Sequence, residues 1–270
     1  MYQGFYNLAS GMLTQSRNLN VISNNMVNVQ TAGYKTDTMV STTFGDEMLY
    51  RTGRQSKENP TQLATVSKIK TADRTYINYE QGDFEETDGI YDFALGGKGF
   101  FCIQTPQGER YTRNGSFSVD AEGYLTLDGA GRVLSSDDQP IRIEDENFTV
   151  DSTGHITSVI VPDSEEDESS GEVETKDYGT LKIVDFADYG QLRKEDSGMF
   201  SSTAAPAAVT DGSAPVQWKT IERSNVDMVQ EMTAMMSSQR ALQSAAQVLK
   251  MYDQVMSKSS GDVGRLYGGR

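Results

Sequence analysis

Apolar side chains recur at alternating spacings of three and four residues near both ends of this chain. At the start, Phe5, Leu8, Met12, Gln15, Leu19, Ile22, Met26 and Val29 are spaced 3, 4, 3, 4, 3, 4, 3, and only Gln15 is polar. Near the end, Met228, Met232, Met235, Gln239, Leu242, Ala246, Leu249, Asp253 and Met256 repeat the pattern. A 3.5-residue repeat is the seam of a coiled-coil-like helix. Nothing between the two seams has a helical period, so they most simply cover each other. Ser224, with Asp227 three residues on, reads as the cap of the second helix, and Ser259-Ser260-Gly261 as its stop.

The first seam lies in unusual surroundings. Arg17 is the only charged side chain in residues 1–30, and six asparagines stand among them. Asparagine is a poor helix former, and a solvated helix normally carries Glu–Lys pairs on its outer face. Neutral amides can be buried where they find hydrogen-bond partners, whereas unpaired charges cannot. The segment is therefore either a weak amphipathic helix packed on its own domain or a helix enclosed by other protein on several sides.

The middle of the chain is β. Between residues 81 and 220, short alternating runs such as Gly99–Thr105, Tyr124–Leu127 and Ile156–Val161 are separated by glycine turns, the punctuation of an antiparallel meander. Residues 36–80 read as a connecting arm, with a short helical turn at Asp46–Tyr50 and a β-like stretch at Val66–Tyr79. Residues 163–177 hold eight acids against Lys176 and read as a solvated loop.

Composition narrows the function classes. The net charge of −15 opposes wholesale binding to nucleic acid or to an anionic membrane surface. One cysteine, Cys102, and one histidine, His155, leave no metal-ligand spacing and remove most dyad and triad chemistries. No apolar run approaches a membrane span, and the first residues have neither a basic nor a long apolar stretch, so no cleaved signal is expected. With 39 acids, a two-carboxylate site stays open. No cofactor is expected.

Three blocks carry a resemblance. The first runs from Ser10-Gly11-Met12 through Asn24-Asn25 and Asn28 to Gly33-Tyr34-Lys35. The second comprises Gly99-Phe100-Phe101, Tyr111-Thr112-Arg113-Asn114-Gly115 and Gly123-Tyr124-Leu125. The third holds Ser224-Asn225-Val226-Asp227 and Gln239-Arg240. Together they resemble the bacterial flagellar rod and hook axial proteins, and the chain's length fits the rod members better than the longer hook protein. The resemblance implies a structural subunit, not an enzyme. It would be exported by the flagellar type III apparatus without a cleaved signal and lie outside the cytoplasm in the basal body. Its partners would be copies of itself and neighbouring rod and hook proteins, with no nucleic acid and no membrane insertion. Its terminal helices would form the inner tube of a helical polymer. An Asn-rich helix pair is marginal alone, so its ordering would be linked to assembly.

The expectation is an α+β protein with paired N- and C-terminal coiled-coil-like helices and a central all-β domain. Residues 1–35 form the N-terminal axial helix, 36–80 the arm, 81–220 the β-rich domain with its acidic loop, 221–258 the C-terminal helix and 259–270 a tail. The expected assembly residues are Phe5, Leu8, Met12, Leu19, Ile22, Met26 and Val29, with Met228, Met232, Met235, Leu242, Leu249 and Met256. Two rival readings remain: a cell-wall-acting accessory enzyme with a two-carboxylate site, and a surface-displayed all-β binding module.

Overall fold

The computed structural model describes residues 2–51, 61–160, 174–195, 198–209 and 214–267. It is α+β, and its contacts divide into two units. One holds residues 1–27, 36–78 and 226–270; the other holds 28–35 and 79–225.

The helical unit contains α1 (Tyr2–Val27), a ribbon of β1 (Asp37–Arg51) and β2 (Thr61–Ile77), and α2 (Met228–Tyr267). At 26 residues, α1 is about 40 Å long. It stops two positions short of Val29. There Thr31 N donates to Asn28 O at 3.2 Å and the Thr31 hydroxyl donates to Asn28 Oδ1 at 3.2 Å, closing a turn. The following residues, 28–35, belong with the β unit and not with the helix.

The stretch read as β-like at Val66–Tyr79 is strand as far as Ile77, but the rest of the arm differs from its sequence reading. It is a regular antiparallel ribbon, paired from Asp37↔Ile77 to Arg51↔Thr61, with irregularities at Val40/Ser41 and Leu49/Tyr50. The helical turn expected at Asp46–Tyr50 is strand. Helix-forming Glu47, Met48 and Leu49 are overridden by cross-strand pairing, since local propensity is a weak prior against a partner strand.

The second helix starts and ends elsewhere than expected. Its cap is Asp227, whose Oδ1 accepts from Val229 N at 2.9 Å and Gln230 N at 3.2 Å, so Ser224 lies outside the helix. It continues through Ser259-Ser260-Gly261 to Tyr267. A glycine within a helix costs about 1 kcal/mol, and no proline follows to force a stop.

The β unit comprises sixteen described strands. They are β3 (Phe84–Glu86), β4 (Phe93–Leu95), β5 (Phe100–Thr105), β6 (Gly108–Thr112), β7 (Ser118–Val119), β8 (Leu125–Leu127), β9 (Gly131–Val133), β10 (Phe148–Val150), β11 (His155–Ile160) and β12 (Glu174–Thr180). The rest are β13 (Ile183–Asp185), β14 (Leu192–Lys194), β15 (Met199–Ser202), β16 (Ala207–Ala208), β17 (Val216–Trp218) and β18 (Thr220–Glu222). The main sheet runs β14-β15-β6-β5-β9-β8-β7, with β13 also on β5 and β16 on β13; β10-β11-β12, β17-β4 and β18-β3 are separate sheets. Every pairing between these strands is antiparallel.

Central strand β5 is apolar on both faces because both are covered. Phe101 and Ile103 join Leu125, Val133, Ile141 and Ile156 in the principal core. Phe100, one residue out of phase, meets Phe200, Phe186 and Tyr189 edge-on, with ring centroids 5.5, 6.0 and 6.1 Å away. Cys102 is fully buried, and burial pushes its thiol up to about 12, so it is inert at neutral pH. Most of the expected acidic loop, residues 163–173, lies outside the described residues. Its end, 174–177, is part of β12, where Lys176 pairs with Glu144.

Candidate assembly surface

The helical unit shows how a nearly uncharged helix hides its amides. Asn25 is 1% exposed. Its Oδ1 accepts from Asp37 N at 3.0 Å, and its Nδ2 donates to Asp37 O at 2.8 Å and Glu231 Oε1 at 3.0 Å. One side chain therefore pairs with the ribbon backbone as a strand would, and with α2 as well. One heptad back along α1, Asn18 Nδ2 donates to Ser238 Oγ at 3.2 Å, one heptad further along α2. A second heptad step brings Gly11 to Ala245. These two line a cavity of about 260 Å³ with Asn7, Leu8, Thr14, Gln15 and Ser41. The two helices are thus antiparallel, in a register that sets polar against polar and small against small. A lone polar residue within such a seam is a known register device.

This register shifts the inward face of α2 relative to the sequence reading. Met235, Leu242, Leu249 and Met256 do turn inward and are partly buried, but the positions that alternate with them, each preceding one of the four, are Glu231, Ser238, Ala245 and Tyr252. Met228, Met232, Gln239, Ala246 and Asp253 are exposed. On α1, Phe5, Leu8, Met12, Leu19 and Met26 are partly buried, and Ile22 is buried at 5% exposure. Val29 is partly buried beyond the helix end.

The resemblance-carrying residues divide between the units. In the helical unit, Ser10, Gly11 and Met12 are partly covered, Asn25 and Val226 are buried, and Asn24, Gln239 and Arg240 are exposed. In the β unit, Gly33 and Tyr34 are buried, while Asn28, Ser224 and Asn225 are partly covered. Gly33 takes φ +67° within 2.4 Å, measured from where a Cβ would stand, of the backbone of Arg113 and Asn114; only glycine fits. Lys194 Nζ sits 3.7 Å above the Tyr34 ring and donates to Lys35 O at 2.8 Å.

The seam reading missed an outward line. Tyr6, Leu13 and Val27 are 62%, 58% and 77% exposed, and with exposed Asn20 they fall every seven residues along α1. Val229 and Met236 add to exposed Met228 and Met232 at the start of α2. The period of seven was present in the sequence, on the face away from the seam. Three of the four positions on this line are therefore apolar and open to solvent.

The comparisons with known proteins agree with this architecture. A family model described as flagella basal body rod protein matches residues 5–35. Another, for the flagellar hook protein FlgE/F/G D1 domain, matches 94–158, and a third, for the flagellar basal body rod FlgEFG protein C-terminal, matches 219–261. The chain is 31% identical over 263 residues to the flagellar basal-body rod protein FlgF of Caulobacter vibrioides, covering 95% of each chain. It is also 31% identical over 265 residues to FlgG of Agrobacterium fabrum, covering 92% of this chain and 95% of that one. The flagellar hook-basal body complex protein FlhO of Bacillus subtilis is 26% identical over 286 residues, covering 98% of this chain and all of FlhO. With its terminal helices, its β unit and nearly its whole length matched to such proteins, the chain belongs to the family of bacterial flagellar basal-body rod proteins.

Proposed function

We propose that this protein is a structural subunit of the flagellar rod that polymerises through its terminal helices into the shaft carrying torque from motor to hook. Its partners are copies of itself and the adjoining rod and hook proteins. It reaches the basal body, outside the cytoplasm, through the flagellar type III export apparatus. The observation that supports this most is the apolar heptad line on α1, Tyr6, Leu13 and Val27, left open on a helix whose one charge is Arg17. The expected assembly residues that turn inward, Ile22 among them, build the helix pair that presents this line. Exposed Met228 and Met232 lie on the assembly surface itself.

The test is a strain lacking the gene, complemented by an epitope-tagged copy. Without the protein, cells are expected to be non-motile, with rods that stop short of the hook. With it, immunogold on isolated basal bodies should mark the rod. Label on the cell surface away from basal bodies, with intact rods in the deletion, would overturn the reading in favour of a displayed binding module.

A further inference from the structure

In the β unit three charged side chains are almost completely buried together. Lys35 and Glu222 are each 1% exposed and Arg113 is 6% exposed. Lys35 Nζ donates to Glu222 Oε1 at 2.6 Å and to Glu80 O at 2.7 Å. Arg113 Nη1 donates to Glu222 Oε2 at 3.3 Å, and Gly82 N donates to Glu222 Oε1 at 3.0 Å. Two cations share one carboxylate. Burial pulls the Lys35 ammonium below its ordinary range, against the opposing pull of Glu222. Such a group is not the cheapest way to fill a core, because desolvation offsets most of the attraction between the charges.

Its place in the chain gives it a use. The backbone passes between the two units four times, at residues 27/28, 35/36, 78/79 and 225/226. The β-unit segments beside these passages are tied to the cluster and to one another. Gly33 N donates to Glu222 O at 2.7 Å, Arg223 N to Asp83 O at 2.8 Å and Asn225 N to Tyr34 O at 3.4 Å. Asn225 Nδ2 donates to Glu80 O at 3.0 Å. Two glycines permit the close approach: a Cβ on Gly33 would meet the Arg113 backbone at 2.3 Å, and one on Gly82 would meet Arg223 O at 2.1 Å.

We propose that Lys35, Arg113 and Glu222 form a buried ionic clamp that holds three β-unit segments beside the backbone passages, residues 33–35, 80–83 and 222–225, in one rigid geometry. The hydrophobic effect is non-directional, whereas charge-assisted hydrogen bonds to a single carboxylate hold several strands in one geometry. These three are positioning residues, acting on the backbone passages through Glu222.

The experiment is hydrogen exchange on the full chain in solution, comparing Glu222→Gln with Leu125→Ala, a substitution in the principal core. Glu222→Gln leaves the two cations facing each other. It is expected to raise exchange by about tenfold or more at Gly33, Gly82, Arg223 and Asn225, with little change at the core amides of Val133 and Ile141. Leu125→Ala should do the reverse. Adding Lys35→Met to Glu222→Gln removes one of the facing cations and should restore part of the protection; a purely steric role for Glu222 would make the double variant worse. If Glu222→Gln does not fold, Lys35→Met alone is read at the same four amides. Unchanged exchange at those amides in the folded variant would overturn the clamp.

Discussion

Replacing Ile22 with aspartate is expected to abolish swimming and to unfold the helical unit while the β unit stays folded. Ile22 is buried at 5% exposure, one helical turn from Asn25 and its hydrogen bonds to Asp37 and Glu231. An ionised carboxylate there loses its hydration without gaining a partner, a penalty of several kcal/mol unless it takes up a proton. That exceeds what an Asn-rich helix can absorb, since isolated helices of this kind are marginal and depend on packing. Circular dichroism of the purified chain should show the loss of helix with the β signal retained. Asn20→Asp makes the same charge change at an exposed position on the same helix and should leave the free chain folded. An Ile22→Asp strain that swims normally would contradict the packing described for α1.

Gly115→Ala is expected to be as damaging in the β unit. A Cβ on Gly115 would lie 1.7 Å from Phe93 O, 2.8 Å from the Phe93 carbonyl carbon and 3.2 Å from the Phe101 ring. The clash is with backbone, so no rotamer relieves it, and Phe93 N donates to Gly115 O at 2.9 Å across the same gap. Opening it separates two buried segments and should cost about 3 kcal/mol, the upper end for overpacking. Thermal melting of the purified chain should show the β transition lowered, with the helical signal little changed. Gly11→Ala is the control: its Cβ meets nothing within 4 Å, and alanine favours helix.

The helices and the glycine-punctuated strands were legible in the sequence because each has its own period. The partner of each seam was legible too, but not the register. Met232 and Gln239 are as compatible with a 3.5-residue repeat as Glu231 and Ser238. What selects the latter is Asn25 and Asn18 across the seam, a match of polar groups that hydrophobicity does not reveal. The first strand of the ribbon was hidden for a related reason, whereas the β-like stretch within β2 was legible: Glu47-Met48-Leu49 is locally helical, and its strand exists only because Ala64, Thr65 and Val66 lie opposite. Lys35 and Arg113 stand within the motifs that carry the family resemblance, but their counter-charge, Glu222, is 187 residues from one and 109 from the other. No pattern in a single sequence announces a pairing at that distance. The outward line on α1 was visible as a period of seven, and only the structure showed which face stays open.

The outward line of α1 is expected to be covered when the rod assembles, and a thiol placed on it reports that covering. Leu13→Cys puts a reactive group at a position 58% exposed in the free chain, while native Cys102 is fully buried and silent. Labelling with a maleimide at neutral pH is compared between the soluble protein and isolated basal bodies from a motile strain carrying the variant. The expected result is rapid labelling of the soluble chain and protection by orders of magnitude in basal bodies, with full labelling recovered when the rods are dissociated. Equal labelling in both, with the protein present in the rods, would contradict the account, because the helix line would then face solvent in the assembled shaft.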